Sequence, residues 1–354
     1  MSKRPGQMMT IKDIAGLAGV TPMTVSNVLR NRGRVGELTR QRVMEVVEAH
    51  GYRPNLTARA LVERRAPTLA LMLGCITNPF YPEFTLQANN AARRHGRFLL
   101  VCNTDYEPDS GTRFMADVAG SLSDGILVAN TGELRVEELK AIQASGTPVV
   151  VSVWEFPDEP PEGIPCVAFD SRKAGRIATE HLLELGHTRI GALVASAKKG
   201  IHGGRYQGYC DAMRAAKVKH VLADAHFGED SYQGGYDAAI ALLTTRPDLT
   251  ALFVSNDLPA LGVLNAAASL GRSVPGDLSV VSITNIELTG QSRPALTTVS
   301  IPTAEMAEAS VDLLIRLIGQ PGAHVPMVMT SDPVLIRRAS TAPLQASPAP
   351  SRSR

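Results

Sequence analysis

Met23, Asn27 and Arg30 fall one helical turn apart in the stretch TPMTVSNVLR, and together they present a thioether, a carboxamide and a guanidinium along a single face. Such a face can offer hydrogen bonds and apolar contact to base edges in a DNA groove. Residue chemistry of an enzymatic kind is missing. The chain contains no HExxH, GxSxG, Walker loop or GxGxxG in a strand-to-helix setting, and its eight histidines are dispersed, none paired at ligand spacing on a helix. Four cysteines, Cys75, Cys102, Cys166 and Cys210, lack CxxC spacing and read as buried free thiols of a reducing compartment, not as a zinc site or a disulfide framework. No metal site and no cofactor are expected.

The elements that must carry the outward face are short helices. Thr10 precedes the apolar set Ile11, Ile14, Ala15 and Ala18, with Asp13 three residues on, which predicts a capping box and a first helix ending near Gly19. Thr21 and Pro22 then open a second helix, because a side-chain oxygen caps free N–H groups and the missing N–H of proline is harmless there. Its Val25, Val28 and Leu29 turn inward, opposite Met23, Asn27 and Arg30. A third helix turns Val43, Val46 and Val47 inward and stops near Gly51. Each is too short to stand alone, so the three must share one core. The spacing is that of a helix-turn-helix.

Charge supports the same division. Residues 1–66 hold 12 Lys and Arg against 5 Asp and Glu, a net of +7, whereas the remaining 288 residues carry a net of −5. A near-neutral total of +2 thus conceals a basic head on an acidic body. Only the head should attract a polyanion.

The segment IKDIAGLAGVTPMTVSNVLRN, with TRQRV, GYRPN and ARAL after it, resembles the DNA-binding domain of the LacI family of bacterial transcription regulators. The resemblance implies that Pro22, Met23 and Asn27 read bases. Asparagine stands where the family most often has arginine, so adenine or a phosphate is favoured over guanine there. Thr10, Lys12, Thr24, Ser26 and Arg30 are expected at phosphates, where they position the domain without reading sequence. Residues 52–65 should form a hinge. NLTARAL is too short to be helical away from DNA, and in the resembling family it folds in the minor groove with a leucine wedged into the central base step. Asn55, Ala58, Arg59 and Leu61 match that motif.

From Thr68 the body alternates strand-like runs (TLALMLGCIT, FLLVCNT, GILVAN, PVVVSVW) with helix-like ones (EFTLQANNAARRHG, SGTRFMADVAGSL, ELRVEELKAIQASG). A second series is expected to begin near Cys166 with CVAFD and KAGRIATEHLLELG and to include the strand-like HVLADAHF. The expected fold is therefore an all-α head with a hinge helix, then an α/β body of two doubly wound parallel-sheet lobes. GHTRIGAL, GRYQGY, FVSNDLPALGVL, VPGDLSVVSI and PALTTVSIP resemble the sensing body of the same family, which has the fold of periplasmic sugar-binding proteins. The expected boundaries are residues 1–51 for the head, 52–65 for the hinge and 66–341 for the body. Lobe 1 would take about 66–165 and 296–325, and lobe 2 about 166–295 and 326–341. The crossings would lie near Pro165, Ala295 and Pro326, and 342–354, rich in proline and serine, should be a disordered tail.

Parallel sheets bind ligands beyond the carboxyl ends of their strands, which in a two-lobed protein face one another across a cleft. Asn78, Phe80 and Tyr81 follow the first strand and could form an aromatic wall, with core packing equally open for Phe80. Trp154 closes another strand and could cover a ligand or pack between lobes. The resemblance implies ligand contacts at Arg205 and Asn256, and a structural role for Asp257. Three positions depart from the family pattern: Asp230 replaces an aromatic platform, Thr284 an acidic contact, and Val153 a third acidic position. Lys198 and Lys199 would add positive charge at the mouth, which suits a sugar acid or phosphate.

These features imply a homodimeric repressor of operator DNA, controlled by a sugar or sugar derivative and not bound to membranes. The nearest rival is a nucleobase-responsive corepressor system of the same architecture, and a periplasmic-type binding protein without DNA function is more distant. The opening residues carry no signal-like apolar run, so the expected location is the cytoplasm.

Overall fold

A computed structural model describes residues 9–29, 33–52, 68–104, 122–129, 136–156, 160, 162–195, 202–218, 225–323 and 327–344. The chain divides into two compact units, Met1–Ala66 and Pro67–Arg354.

The first unit contains three helices, α1 (Ile11–Ala18), α2 (Pro22–Leu29) and α3 (Glu37–Ala49). The capping box forms as the sequence predicts: Thr10 accepts from the Asp13 N–H, and the Asp13 carboxylate accepts from the Thr10 N–H. Gly19 ends α1 in the left-handed region at φ +63°, which lets its N–H reach back to the helix carbonyls. Ile14, Ala15, Ala18, Val25, Val28 and Val43 make one buried core, flanked by Leu29, Val46, Val47 and Tyr52. Arg40 of α3 donates to the Val28 carbonyl at 3.3 Å, so a side chain from the third helix satisfies the end of the second. Residues 53–67, which include all of the expected hinge but Tyr52, lie outside the described residues.

The second unit holds two six-stranded sheets. The first orders as β11-β5-β4-β3-β1-β2, using β1 (Thr68–Leu73), β2 (Phe98–Asn103), β3 (Ile126–Ala129), β4 (Val149–Phe156), β5 (Cys166–Asp170) and β11 (Val328–Met329). The second orders as β12-β10-β9-β8-β6-β7, using β6 (Ile190–Val194), β7 (Ala225–Phe227), β8 (Ala251–Val254), β9 (Ser279–Thr284), β10 (Thr297–Ser300) and β12 (Val334–Ile336). Every pairing is parallel except β10 with β12. Flanking helices are α4 (Phe80–Arg94), α5 (Val136–Ala144), α6 (Ser171–Glu184), α7 (Gly203–Ala215), α8 (Tyr232–Thr245), α9 (Asp257–Ser269), the short α10 (Leu288–Gln291) and α11 (Thr303–Gly319). The apolar runs of β1, β3 and β5 are buried nearly throughout, as strands covered on both faces require.

The lobe crossings fall later than expected near Pro165, Ala295 and Pro326. β5 pairs with β4 and so belongs to the first sheet, β10 pairs with β9 in the second, and β11 returns to β5 in the first. The chain crosses at Asp170–Ser171 with no loop, because the last residue of β5 is itself the N-cap of α6, its carboxylate accepting from the Lys173 N–H at 2.7 Å. Strand–helix alternation reads the same whichever sheet accepts the strand, which is why periodicity missed this. The expected tail also starts later: the Ala342 carbonyl pairs with His187 Nε2 at 3.0 Å, and the Leu344 N–H donates to the Leu185 carbonyl at 2.8 Å. Backbone pairing holds these residues although their composition is tail-like. Residues 345–354, the helix-like run 110–121 and most of HVLADAHF lie outside the described residues; its last three residues form β7.

Candidate functional site

In the head, Pro22 and Met23 are exposed, Met23 at 69%, while Asn27 is half-buried with its carboxamide against Gly33. Lys12 is exposed and Ser26 half-buried. The Thr10 hydroxyl donates to Asp13 at 2.6 Å, and Thr24 bonds to Thr21, whose hydroxyl oxygen also accepts the Thr24 N–H. Both threonines thus serve helix starts as well as lying on the helix-turn-helix surface. Arg30, Asn55, Ala58, Arg59 and Leu61 lie outside the described residues, as do Lys198 and Lys199.

In the body, the carboxyl ends of strands from both sheets converge on one set of polar side chains. Arg205, on α7, is 4% exposed and reaches across to the first lobe. Its Nη1 donates to the Ser255 carbonyl at 2.7 Å, its Nη2 to Glu155 Oε1 at 2.5 Å, and its guanidinium stands over the Phe169 ring, 5.6 Å from the centroid. Its Nε is buried with no hydrogen-bond partner. A guanidinium so placed bridges the two lobes and keeps its Nε N–H, with a second N–H on each Nη, still to give.

Asp230 sits beside it. Asn256 Nδ2 donates to both Asp230 oxygens, at 2.7 and 2.9 Å, and Asn78 Nδ2 donates to it from the other lobe at 3.4 Å. Burial pushes the Asp230 carboxyl up to about 6, the charge of Asp257 adding to that rise, while the Asn256 hydrogen bond and Arg205 oppose it. Asn256 also caps α9 through Asp257 and accepts from the Thr284 hydroxyl at 2.8 Å. Thr284 adopts φ +133°, a left-handed conformation unusual for a β-branched residue. The sequence departures at 230 and 284 therefore meet through one asparagine.

Asp257 has the structural role expected of it. Fully buried, it accepts from Ser282, Thr298 and the Ile286 N–H, and so fixes the loop after β9. His202 is buried against Ser255, and burial and then Arg205 hold its imidazole well below its usual range.

Two aromatic expectations change. Tyr81 is 6% exposed and belongs to the main apolar cluster, leaving half-buried Phe80, edge-on to it with centroids 5.3 Å apart, as the accessible ring after β1. Trp154 packs within the first lobe against the cluster of Ile126, Val128, Val151 and Ile164, on the sheet face opposite the one that carries Phe169. The reason is an irregularity in the β4–β5 register between Val151 and Trp154, which hands the cleft-facing role to Glu155. Sequence reasoning missed Glu155, Phe169 and Ser255; the available signal was an acid at the carboxyl end of the apolar run VVVSVW. The four cysteines are free, but only Cys102 and Cys166 are buried, with thiols pushed up to about 11 and about 12 by burial. Among the described residues no cluster of His, Cys, Asp or Glu could hold a metal ion, and no helix is long and apolar enough to cross a membrane.

The sequence profile of bacterial regulatory proteins of the lacI family matches residues 10–55, and that of periplasmic binding protein-like domains matches 179–341. The HTH-type transcriptional regulator DegA of Bacillus subtilis is 34% identical over 95% of this chain and 98% of its own. The ribose operon repressor of Halalkalibacterium halodurans is 30% identical over 88% and 91%. Among solved structures, a complex of the transcriptional regulator CelR with cellobiose superposes with a TM-score of 0.71 at 28% identity, covering 94% of this chain and 99% of that one.

Proposed function

Because this chain belongs to the LacI family of bacterial transcription regulators, we propose that it is a DNA-binding repressor whose hold on an operator is set by a small polar metabolite between its lobes. It is a regulator and not an enzyme. The observation that carries the effector half is Arg205, buried, bridging both lobes and still offering Nε. Arg205, Asp230, Asn256 and Thr284 form the polar part of the site, joined by Asn78 and Glu155, with Phe80 as its open ring. Cellobiose in the CelR complex and the ribose operon repressor among the relatives favour a sugar or sugar derivative.

On the DNA side, Pro22, Met23 and Asn27 read bases, and Thr10, Lys12, Thr24, Ser26 and Arg30 hold phosphates. Asn55, Ala58, Arg59 and Leu61 enter the minor groove, and the functional boundaries are head 1–51, hinge 52–65 and sensor from 66. One short recognition helix offers few base contacts, so the protein acts as a homodimer on a near-palindromic site, in the cytoplasm. A ligand preferring one arrangement of the lobes changes operator affinity by the difference in its affinity for the two, typically about 5- to 150-fold.

The test is an operator titration of wild type and Arg205→Ala, with and without the metabolite that native mass spectrometry recovers from the protein. Arg205→Ala should bind operator normally without metabolite and lose the response to it. An unchanged response removes Arg205 from the site, and a wild type that never discriminates operator from random DNA defeats the regulator reading. The same titration gives the sign, release for an inducer and tightening for a corepressor.

A further inference from the structure

Glu155 comes from β4 of the first lobe and meets Arg205 of the second, with their side chains 10% and 5% exposed. In an arginine, Nε and Nη2 form the side-on fork that carboxylates and phosphates prefer. Here Nη2 already donates to Glu155 at 2.5 Å, and Nη1 is taken by the Ser255 carbonyl. Nε is left buried and without a partner, and Nη1 and Nη2 each keep a second N–H. What Glu155 takes up is the charge: a carboxylate already in contact with the guanidinium leaves little attraction for a second anion, whereas the remaining N–H groups can still donate to hydroxyl oxygens.

The surroundings add to this. Asp230 adds a second carboxylate beside Arg205, held by Asn256 and Asn78. Behind it lies buried Asp257, whose charge adds to the rise of the Asp230 carboxyl. Among the described residues, the buried guanidinium is thus matched by Glu155, and Asp230 adds a further carboxylate beside it. An incoming carboxylate or phosphate would lose its water to face them.

We infer that Glu155 sets the charge class of the effector: by holding Arg205 from across the cleft, it restricts the site to a polyhydroxylated molecule without a carboxylate or phosphate. This rests on the regulator reading above only in placing the effector between the lobes. It opposes the sugar acid or phosphate that Lys198 and Lys199 suggest from the sequence.

The test uses the full chain as wild type, Glu155→Gln and Glu155→Asp. Binding is measured by thermal shift and calorimetry at constant ionic strength with matched sets: glucose, glucosamine, glucuronate and glucose 6-phosphate; galactose, galactosamine and galacturonate; ribose and ribose 5-phosphate. Wild type should bind a neutral or amino member at least about tenfold more tightly than its anionic counterpart. Glu155→Gln should narrow that ratio by about tenfold, and Glu155→Asp should retain most of it. A change confined to stability would move all members of a set together and leave the ratio alone. An anionic member that binds wild type as well as its neutral partner overturns the inference, and so does an unchanged ratio in Glu155→Gln. Silence of every set toward both proteins overturns it too. Operator binding, measured alongside, reports separately on the regulator reading: its loss with the ratio intact would strike that reading and spare the role of Glu155.

Discussion

The carbonyl oxygen of Arg205 lies 1.9 Å from where a Cβ on Gly175 would stand. Reciprocally, a Cβ on Gly208 would meet the Arg172 carbonyl at 2.0 Å, so α6 and α7 cross backbone against backbone at two glycines. This crossing sets the height from which Arg205 reaches the first lobe. Gly175→Ala should force the helices apart, lowering stability by about 1–3 kcal/mol and weakening effector binding with it. A melting midpoint and a ligand affinity both equal to wild type would show that the crossing yields without cost.

Asp230 gives a pH dependence with a definite sign. Its folded-state carboxyl titrates at about 6, above the ordinary carboxylate value of 3.8. Between those values the folded state binds more protons than the unfolded one, so this group's contribution is fully present below about 4 and lost as pH rises through about 6. Asp230→Asn should therefore compare least well with wild type at low pH and gain on it as pH rises. Denaturant unfolding of both proteins from pH 4.5 to 7.5 measures this, and parallel stability curves would exclude it.

Asp257 should behave as a structural acid. Asp257→Ala leaves Ser282, Thr298 and the Ile286 N–H without their acceptor, at a cost of about 3–5 kcal/mol, read as a large drop in denaturation midpoint. A variant as stable as wild type would mean that those donors find other partners.

On the DNA side, Lys12→Ala should flatten the dependence of operator affinity on salt by about one unit for each phosphate it no longer neutralises, for all sequences alike. Met23→Ala should leave the slope intact and cost about 1–3 kcal/mol of discrimination at one base pair. Titrations across salt and across single-base operator variants separate the two. Equal behaviour of both variants would show that α2 does not read bases.

Leu61→Ala should weaken operator binding by a few kcal/mol, on the order of unstacking one base step, with nonspecific binding nearly intact. An operator affinity matching wild type would remove the intercalating leucine.

Much of this was legible in the sequence because it is written locally. The Thr10–Asp13 capping box and the inward Val25, Val28 and Val43 depend on neighbours within a few residues, and the structure forms them as spacing predicts. Arg205 and Asn256 were visible through family resemblance, and Asp230 and Thr284, which bond to Asn256, through departures from it; Glu155 and Ser255, which hold Arg205, were not. Glu155 faces Arg205 because of a shift in register between two strands, and strict alternation along β4 cannot express such a shift. The face that Trp154 takes follows from the same shift. The lobe crossings were misplaced because a strand carries no mark of the sheet that will accept it.

The return of β11 and β12 to the two sheets bears on how the protein is made. The helical head has its whole core within the first fifty-odd residues and can fold while the ribosome is still building the body. Neither sheet can close so early. The first lacks an edge strand until Val328–Met329 emerge and the second until Val334–Ile336, so both lobes are completed together at the end of synthesis. A chain released a few dozen residues short would carry an intact head on two unfinished lobes. Premature stops late in the reading frame should therefore yield protein that is cleared by proteases or binds DNA without control, and not a half-working sensor.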